Sequence, residues 1–146
     1  MRINLTGVED RSFEPLPSSR YILKITDFEL RETSGSGKLG AGVPMINWEF
    51  TVQSDRNGDE KYKNRKLWMN TVIHEKTLFN LKSLLRATGA FKGEELEGEV
   101  DFEPEQCLGT EVIGVVSQRE YNGDTVNDVK RVVALGDAER DTSLLP

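Results

Sequence analysis

Three strands, one helix and two further strands, with a parity slip in the first strand and an Asn-Gly turn between the last two, predict a mainly β fold. That order is the order of the five-stranded Greek-key barrel of OB type, β-β-β-α-β-β, with its helix between the third and fourth strands. An open α+β sheet is the alternative compatible with the same pattern. At 146 residues the chain suits one domain with a real core. The expected division is an extended leader over residues 1–19, the domain over 20–135 and a polar tail over 136–146.

The leader carries Pro15 and Pro17 and no sustained period, so it reads as an extended segment lying across the domain surface. In the first strand Tyr21, Leu23 and Ile25 share one face, whereas Phe28 and Leu30 continue in the opposite parity. A slip of one residue near Thr26-Asp27 predicts a β-bulge, the device by which a strand bends out of one sheet direction into another. From Thr33 to Gly42 four glycines, with Pro44 just beyond, predict a flexible loop and not a strand. This loop spells G-x-G-x-x-G through Gly35, Gly37 and Gly40. The dinucleotide motif needs a helix opening at its last glycine so that the pyrophosphate meets the helix N-terminus, and here an alternating strand follows instead. A Walker A loop fails too, because Leu39 follows Gly37-Lys38 and Glu32 stands where the first glycine belongs.

Met45 to Gln53 alternates strictly, with Ile46, Trp48, Phe50 and Val52 on one face, which predicts a half-buried strand and a core indole at Trp48. Asn57-Gly58 marks a turn. Lys66 to Ile73 is the third strand, with Leu67, Met69, Thr71 and Ile73 on its apolar side. Trp68 lies on the other side with Lys66 and Asn70, where a core does not need it. Between His74 and Gly89 the period lengthens: Leu78, Leu81, Leu84 and Leu85, with Phe79 beside them, predict an amphipathic helix closed by Gly89. The acidic stretch Glu94 to Glu105 then passes through Pro104 as a loop with one short turn. Thr110 to Tyr121 and Thr125 to Leu135 are strands joined at Asn122-Gly123, a strong hairpin signal. Gly114 inside the first of them marks a bend or a close approach.

Composition narrows the chemistry. No apolar run nears the ~18 residues of a membrane span, and the N-terminus lacks the ~7–15 apolar residues of a signal peptide, so a cytoplasmic protein is expected. One Cys and one His, Cys107 and His74, can form neither a disulfide nor a Cys/His zinc site, and neither sits in a nucleophile signature. The carboxylates form no spaced constellation of the kind a metal-dependent nuclease requires. The expectation is therefore a protein that is not an enzyme and needs no cofactor or metal.

The net charge of −6 is unevenly spread. Lys61 to Trp68 reads KYKNRKLW, with four cations, two aromatic residues and no acid; without those cations the rest carries −10. Glu94 to Glu105 holds seven acids and no base. In an OB-type barrel ligands lie across strands 2 and 3 between the loops joining strands 1–2 and 4–5, and the basic-aromatic run falls in that region. Single-stranded nucleic acid is a polyanion with exposed base faces, so a binder needs spaced cations and flat side chains. Lys61, Lys63, Arg65 and Lys66 supply the first and Tyr62 and Trp68 the second. Lys38 on the glycine-rich loop, and Arg119, Tyr121, Lys130 and Arg131 on the final hairpin, flank them. On this reading Lys63 and Arg65 set part of the salt dependence of binding.

Several short stretches carry a family resemblance: Phe13-Glu14-Pro15-Leu16-Pro17 before Tyr21, the Thr33-Ser34-Gly35 loop, Arg65 to Trp68, the helix ending Ala87-Thr88-Gly89, and Tyr121-Asn122-Gly123 with Asn127-Asp128-Val129-Lys130. Over residues 13–135 the chain resembles small phage single-stranded-DNA-binding proteins of OB type, encoded among replication and recombination genes. The resemblance implies a non-catalytic, largely sequence-independent binder of single-stranded DNA in phage DNA replication or recombination, acting in the host cytoplasm. Replication or recombination proteins and a second copy of the chain are the further partners it admits. The tail departs from better-known proteins of this kind, since Arg140 stands among Asp137, Glu139 and Asp141 and there is no dense acidic tip. The competing expectation is a protein-interaction module that presents Glu94 to Glu105 to a replication or host protein.

Overall fold

A computed structural model describes residues 1–6, 15–35 and 40–137. Five strands form one antiparallel sheet: β1 (Ser19–Ser34), β2 (Ala41–Asp55), β3 (Lys66–Val72), β4 (Glu111–Tyr121) and β5 (Asp124–Val133), in the spatial order β3-β2-β1-β4-β5. The helix α1 (Leu78–Thr88) lies between β3 and β4 in sequence. Because each neighbouring pair is antiparallel, the two edge strands β3 and β5 run in the same direction. They share no ladder, yet side chains of both line one cavity, so the sheet is curled until its edges face each other.

The bend comes from β1. Its register against β2 shifts between Ile25 and Asp27, as the parity slip predicts, and Phe28 returns to the core side to pack on Trp48. Leu30 does not: although it pairs with the buried Ile46, it is exposed. The glycine-rich segment is shorter than its composition predicts, since Thr33, Ser34, Ala41 and Gly42 belong to strands and Ser34 pairs with Ala41. Thr33 holds the ribbon together there, its hydroxyl donating to the Gly40 carbonyl and accepting from the Val43 N–H. At the other end of β1, Ser19 to Lys24 pairs with β4, making this strand the one shared by both halves of the sheet. The β4–β5 turn carries positive φ at both Asn122 and Gly123, the conformation that suits the twist of a two-residue hairpin.

The core lies on the concave face. Leu23, Ile25, Ile46, Trp48, Phe50, Val52, Leu84 and Val112 are fully buried or nearly so. Trp48 is among them, and its indole N–H donates to the Thr71 hydroxyl at 2.9 Å. From α1 the buried residues are Leu81, Leu84, Leu85 and Ala87, while Leu78 and Phe79 point to solvent, so the apolar stripe is narrower than the sequence suggests. Gly89 closes the helix in the left-handed conformation, its N–H bonding to the Arg86 carbonyl. The acidic stretch contains two 3₁₀ turns, Gly93–Leu96 and Pro104–Cys107, where one was expected. Leu96, Phe102 and Cys107 anchor this stretch to the core while its carboxylates face water. Burial pushes the Cys107 thiol up to about 11, which leaves it protonated and unreactive at neutral pH.

The leader is not a surface segment throughout. Leu16 is 0% exposed and belongs to the core. Its N–H donates to Asn127 Oδ1 at 2.9 Å, and its carbonyl accepts from both Asn127 and Gln118. One residue further on, the Pro17 carbonyl accepts the Tyr21 hydroxyl at 2.7 Å. Burial, followed by the neighbouring Tyr62, raises that phenol to about 12.

Gly114 in β4 is a close approach. A Cβ there would overlap the buried Leu23 side chain and stand 3.6 Å from Val129. Gly114→Ala is therefore expected to cost about 1–3 kcal/mol of stability through overpacking. Urea denaturation checks this, and a midpoint equal to that of the wild type would mean that Leu23 swings aside without strain.

Candidate nucleic-acid interface

Alternation along β3 sends Leu67 and Thr71 into the core and leaves Lys66, Trp68 and Asn70 on the convex face. Trp68 is 54% exposed, so the two tryptophans divide as their strand patterns predict. Cross-strand pairing puts Glu49 opposite Trp68 and Asn47 opposite Asn70, and the two asparagine amides are joined at 2.7 Å. Lys66 donates to the Thr51 hydroxyl at 2.7 Å and lies 3.7 Å from a Glu49 carboxylate oxygen. Its charge is thus partly offset beside the indole.

A cavity of about 470 Å³ opens at the edge of β3. Asn47, Trp68 and Asn70 form one wall; Arg119, Asp128 and Lys130 stand on the other, contributed by the β4–β5 hairpin. The hairpin side chains face it because Val116 and Val129 turn inward as a pair, and the register shift beside them leaves Lys130 as the extra residue of β5, so that Val132 turns inward as well while Lys130 stays exposed. Arg119 is fixed from two sides: it pairs with Asp128 at 2.6 Å and lies 5.4 Å from the centre of the exposed Tyr121 ring. Its guanidinium is held beside an aromatic face at the mouth of the cavity, while Lys130 projects from β5 as an exposed cation. Trp68, Arg119 and Lys130, chosen from three separate stretches of sequence, thus come together, and Tyr121 stands next to them.

The other nominated residues lie elsewhere. Lys61, Tyr62, Lys63 and Arg65 precede β3, beyond the Thr51–Lys66 pair. Tyr62 is half-buried, edge-on to Tyr21 at 6.3 Å, with the Lys61 ammonium 5.2 Å from its ring centre. Tyr62 is therefore a core-edge residue and not a free stacking platform. Lys63 pairs with Glu60 at 2.8 Å and lines a different cavity, of about 320 Å³, with Ile22, Ser54 and Glu111. The contiguous basic-aromatic run is thus split by the fold: only its last members, Lys66 and Trp68, share a face with the cleft. Lys38 lies outside the described residues, as do residues 7–14, which include Phe13, and residues 138–146 of the tail.

Sequence reading missed Asn47 and Asn70 as cleft residues and Phe79 as an exposed aromatic. Alternation alone puts Asn70 beside Trp68. Phe79 falls off the Leu81, Leu84, Leu85 stripe, which was the available sign that it faces away from the core.

Among the described residues, no group of three or more His, Cys, Asp or Glu side chains is arranged to hold a metal ion. No helix among them is long and apolar enough to cross a membrane. In a comparison with protein families, residues 3–141 fit the family described as a protein of unknown function, DUF669. No curated protein matches the chain.

Proposed function

We propose that this chain, which belongs to the DUF669 family, binds single-stranded DNA without catalysis and largely independently of base sequence, in the cleft between β3 and the β4–β5 hairpin. One observation carries this reading: a tryptophan kept out of the core on a strand face, across a cavity from Arg119 and Lys130. A flat side chain accepts any base, and the cations opposite it meet the backbone phosphates. The strand order, the bulged first strand and the parallel edges of β3 and β5 over a shared cavity support an OB-type barrel left unzipped between those two strands. In such a barrel the cleft occupies the region where strands 2 and 3 meet the loop between strands 4 and 5. A setting in phage DNA replication or recombination, in the host cytoplasm, rests on the resemblance of residues 13–135.

The test is intrinsic tryptophan fluorescence during titration with oligo-dT, its RNA counterpart and a duplex at two salt concentrations. Trp48 is sealed in the core, so quenching reports Trp68. Trp68→Ala is expected to weaken single-strand binding by about 1–3 kcal/mol. Lys130→Ala is expected to reduce the slope of log affinity against log salt by about 0.7, the value for one phosphate contact on a single strand. A folded Trp68→Ala protein with unchanged affinity would remove the indole from the site. Absence of any oligonucleotide binding would leave the exposed carboxylates from Glu94 to Glu105 as the better candidate surface, with a basic protein as partner.

A further inference from the structure

The cleft does not end at Trp68. A second cavity, also about 470 Å³, shares Met69, Asn70, Val129 and Lys130 with the first, so the two form one groove that follows the edge of β3 towards α1. At its far end stands Phe79, in the first turn of α1 and 64% exposed. Lys130 and Arg131 line this second part, and among the described residues no carboxylate does. In the first part the one acid on the wall, Asp128, is engaged by Arg119. A protein of net charge −6 thus carries a groove whose free charges are positive and whose two ends each present an exposed aromatic ring. That combination of a cationic path and separated flat platforms matches a polyanion with stackable bases.

We propose that a single strand bound at Trp68 continues along this groove past Lys130 and Arg131, and that Phe79 is a second base-stacking residue at the far end. The inference rests on the DNA-binding reading above and extends it to a direction and a minimum length of bound strand. Asn80 and Ser83, which line the same part of the groove, supply neutral hydrogen-bonding groups to the bases or sugars there without selecting one base.

The experiment is a titration of wild type, Trp68→Ala, Phe79→Ala and Phe79→Trp with oligo-dT from about 4 to about 16 nucleotides, the range of site sizes for a single fold of this kind. Phe79 is exposed, so its variants should melt with the wild type, and a thermal scan verifies this. Trp68→Ala is expected to weaken binding at every length. Phe79→Ala is expected to leave the shortest strands unaffected and to weaken longer ones about five-fold or more, with Phe79→Trp retaining wild-type affinity. If Phe79→Ala matches wild type at all lengths, the extended path is wrong while the Trp68 site stands. Equal loss at every length would put both rings in one subsite and likewise overturn the path. If the wild type binds no oligonucleotide, the DNA-binding reading itself falls.

Discussion

Trp48→Ala is expected to destabilise the protein by about 3–5 kcal/mol, a large share of the roughly 5–15 kcal/mol that holds a domain folded. Trp48 is fully buried against Phe28 and the other core residues, so truncating its indole leaves a large cavity among apolar side chains. A second cost is polar: the buried Thr71 hydroxyl loses its indole partner. Trp48→Phe retains most of the volume and forfeits only the hydrogen bond and part of the packing, so its cost should be well below that of alanine. Urea denaturation followed by circular dichroism separates the two variants. A loss below about 1 kcal/mol for Trp48→Ala would mean that the core closes over the gap, contrary to the close packing of protein interiors. Neither change touches Trp68, so under the proposed function the folded fraction of both variants is expected to bind oligo-dT as the wild type does.

Leu16→Ala is expected to cost about 2–5 kcal/mol, although residue 16 lies outside the sheet. The side chain is completely buried, and the backbone around it is bracketed by Asn127 and Gln118. A companion variant tests the bracket alone: Asn127→Ala removes the partner of the Leu16 N–H, while the carbonyl keeps Gln118, and should cost about 1–3 kcal/mol. If Leu16→Ala unfolds at the wild-type midpoint, the leader does not contribute to the core in solution.

These two residues also mark what could and could not be read from the chain. Trp48 was legible because Ile46, Phe50 and Val52 share its parity, and a period of two fixes which face meets the core. The Gly89 cap and the Asn122-Gly123 turn were legible because each is a local conformational demand met by a local residue type, and the bulge near Thr26 because the parity of the apolar residues slips there, whereas Gly114 could be read only as a bend or a close approach, its contact with Leu23 being long-range. Leu16 was not. A single leucine between two prolines has no period, and its burial depends on Asn127, 111 positions away. The cleft was half legible. Trp68 and Lys130 carry the right chemistry, but their meeting depends on the curl of the sheet, whereas Lys61, Tyr62 and Lys63, adjacent in sequence, turn towards Tyr21 and Glu60.

The sharing of β1 between both halves of the sheet also sets the order in which the fold can form. Its pairing with β2 and the β4–β5 hairpin join near neighbours in sequence, but Lys24 meets Glu111 across 87 positions. Loop closure of that length must precede any reward from the contact, so docking of β4 on β1 is expected to limit the folding rate. On a ribosome the consequence is sharper. Until Glu111 to Val116 has been synthesised, the Ser19 to Lys24 edge of β1 has no strand to pair with, and its Tyr21 and Leu23 side chains await their cover. A nascent chain paused before residue 111 would expose the open edge of a strand paired on one side only, which makes the interval between β3 and β4 the stage of greatest aggregation risk.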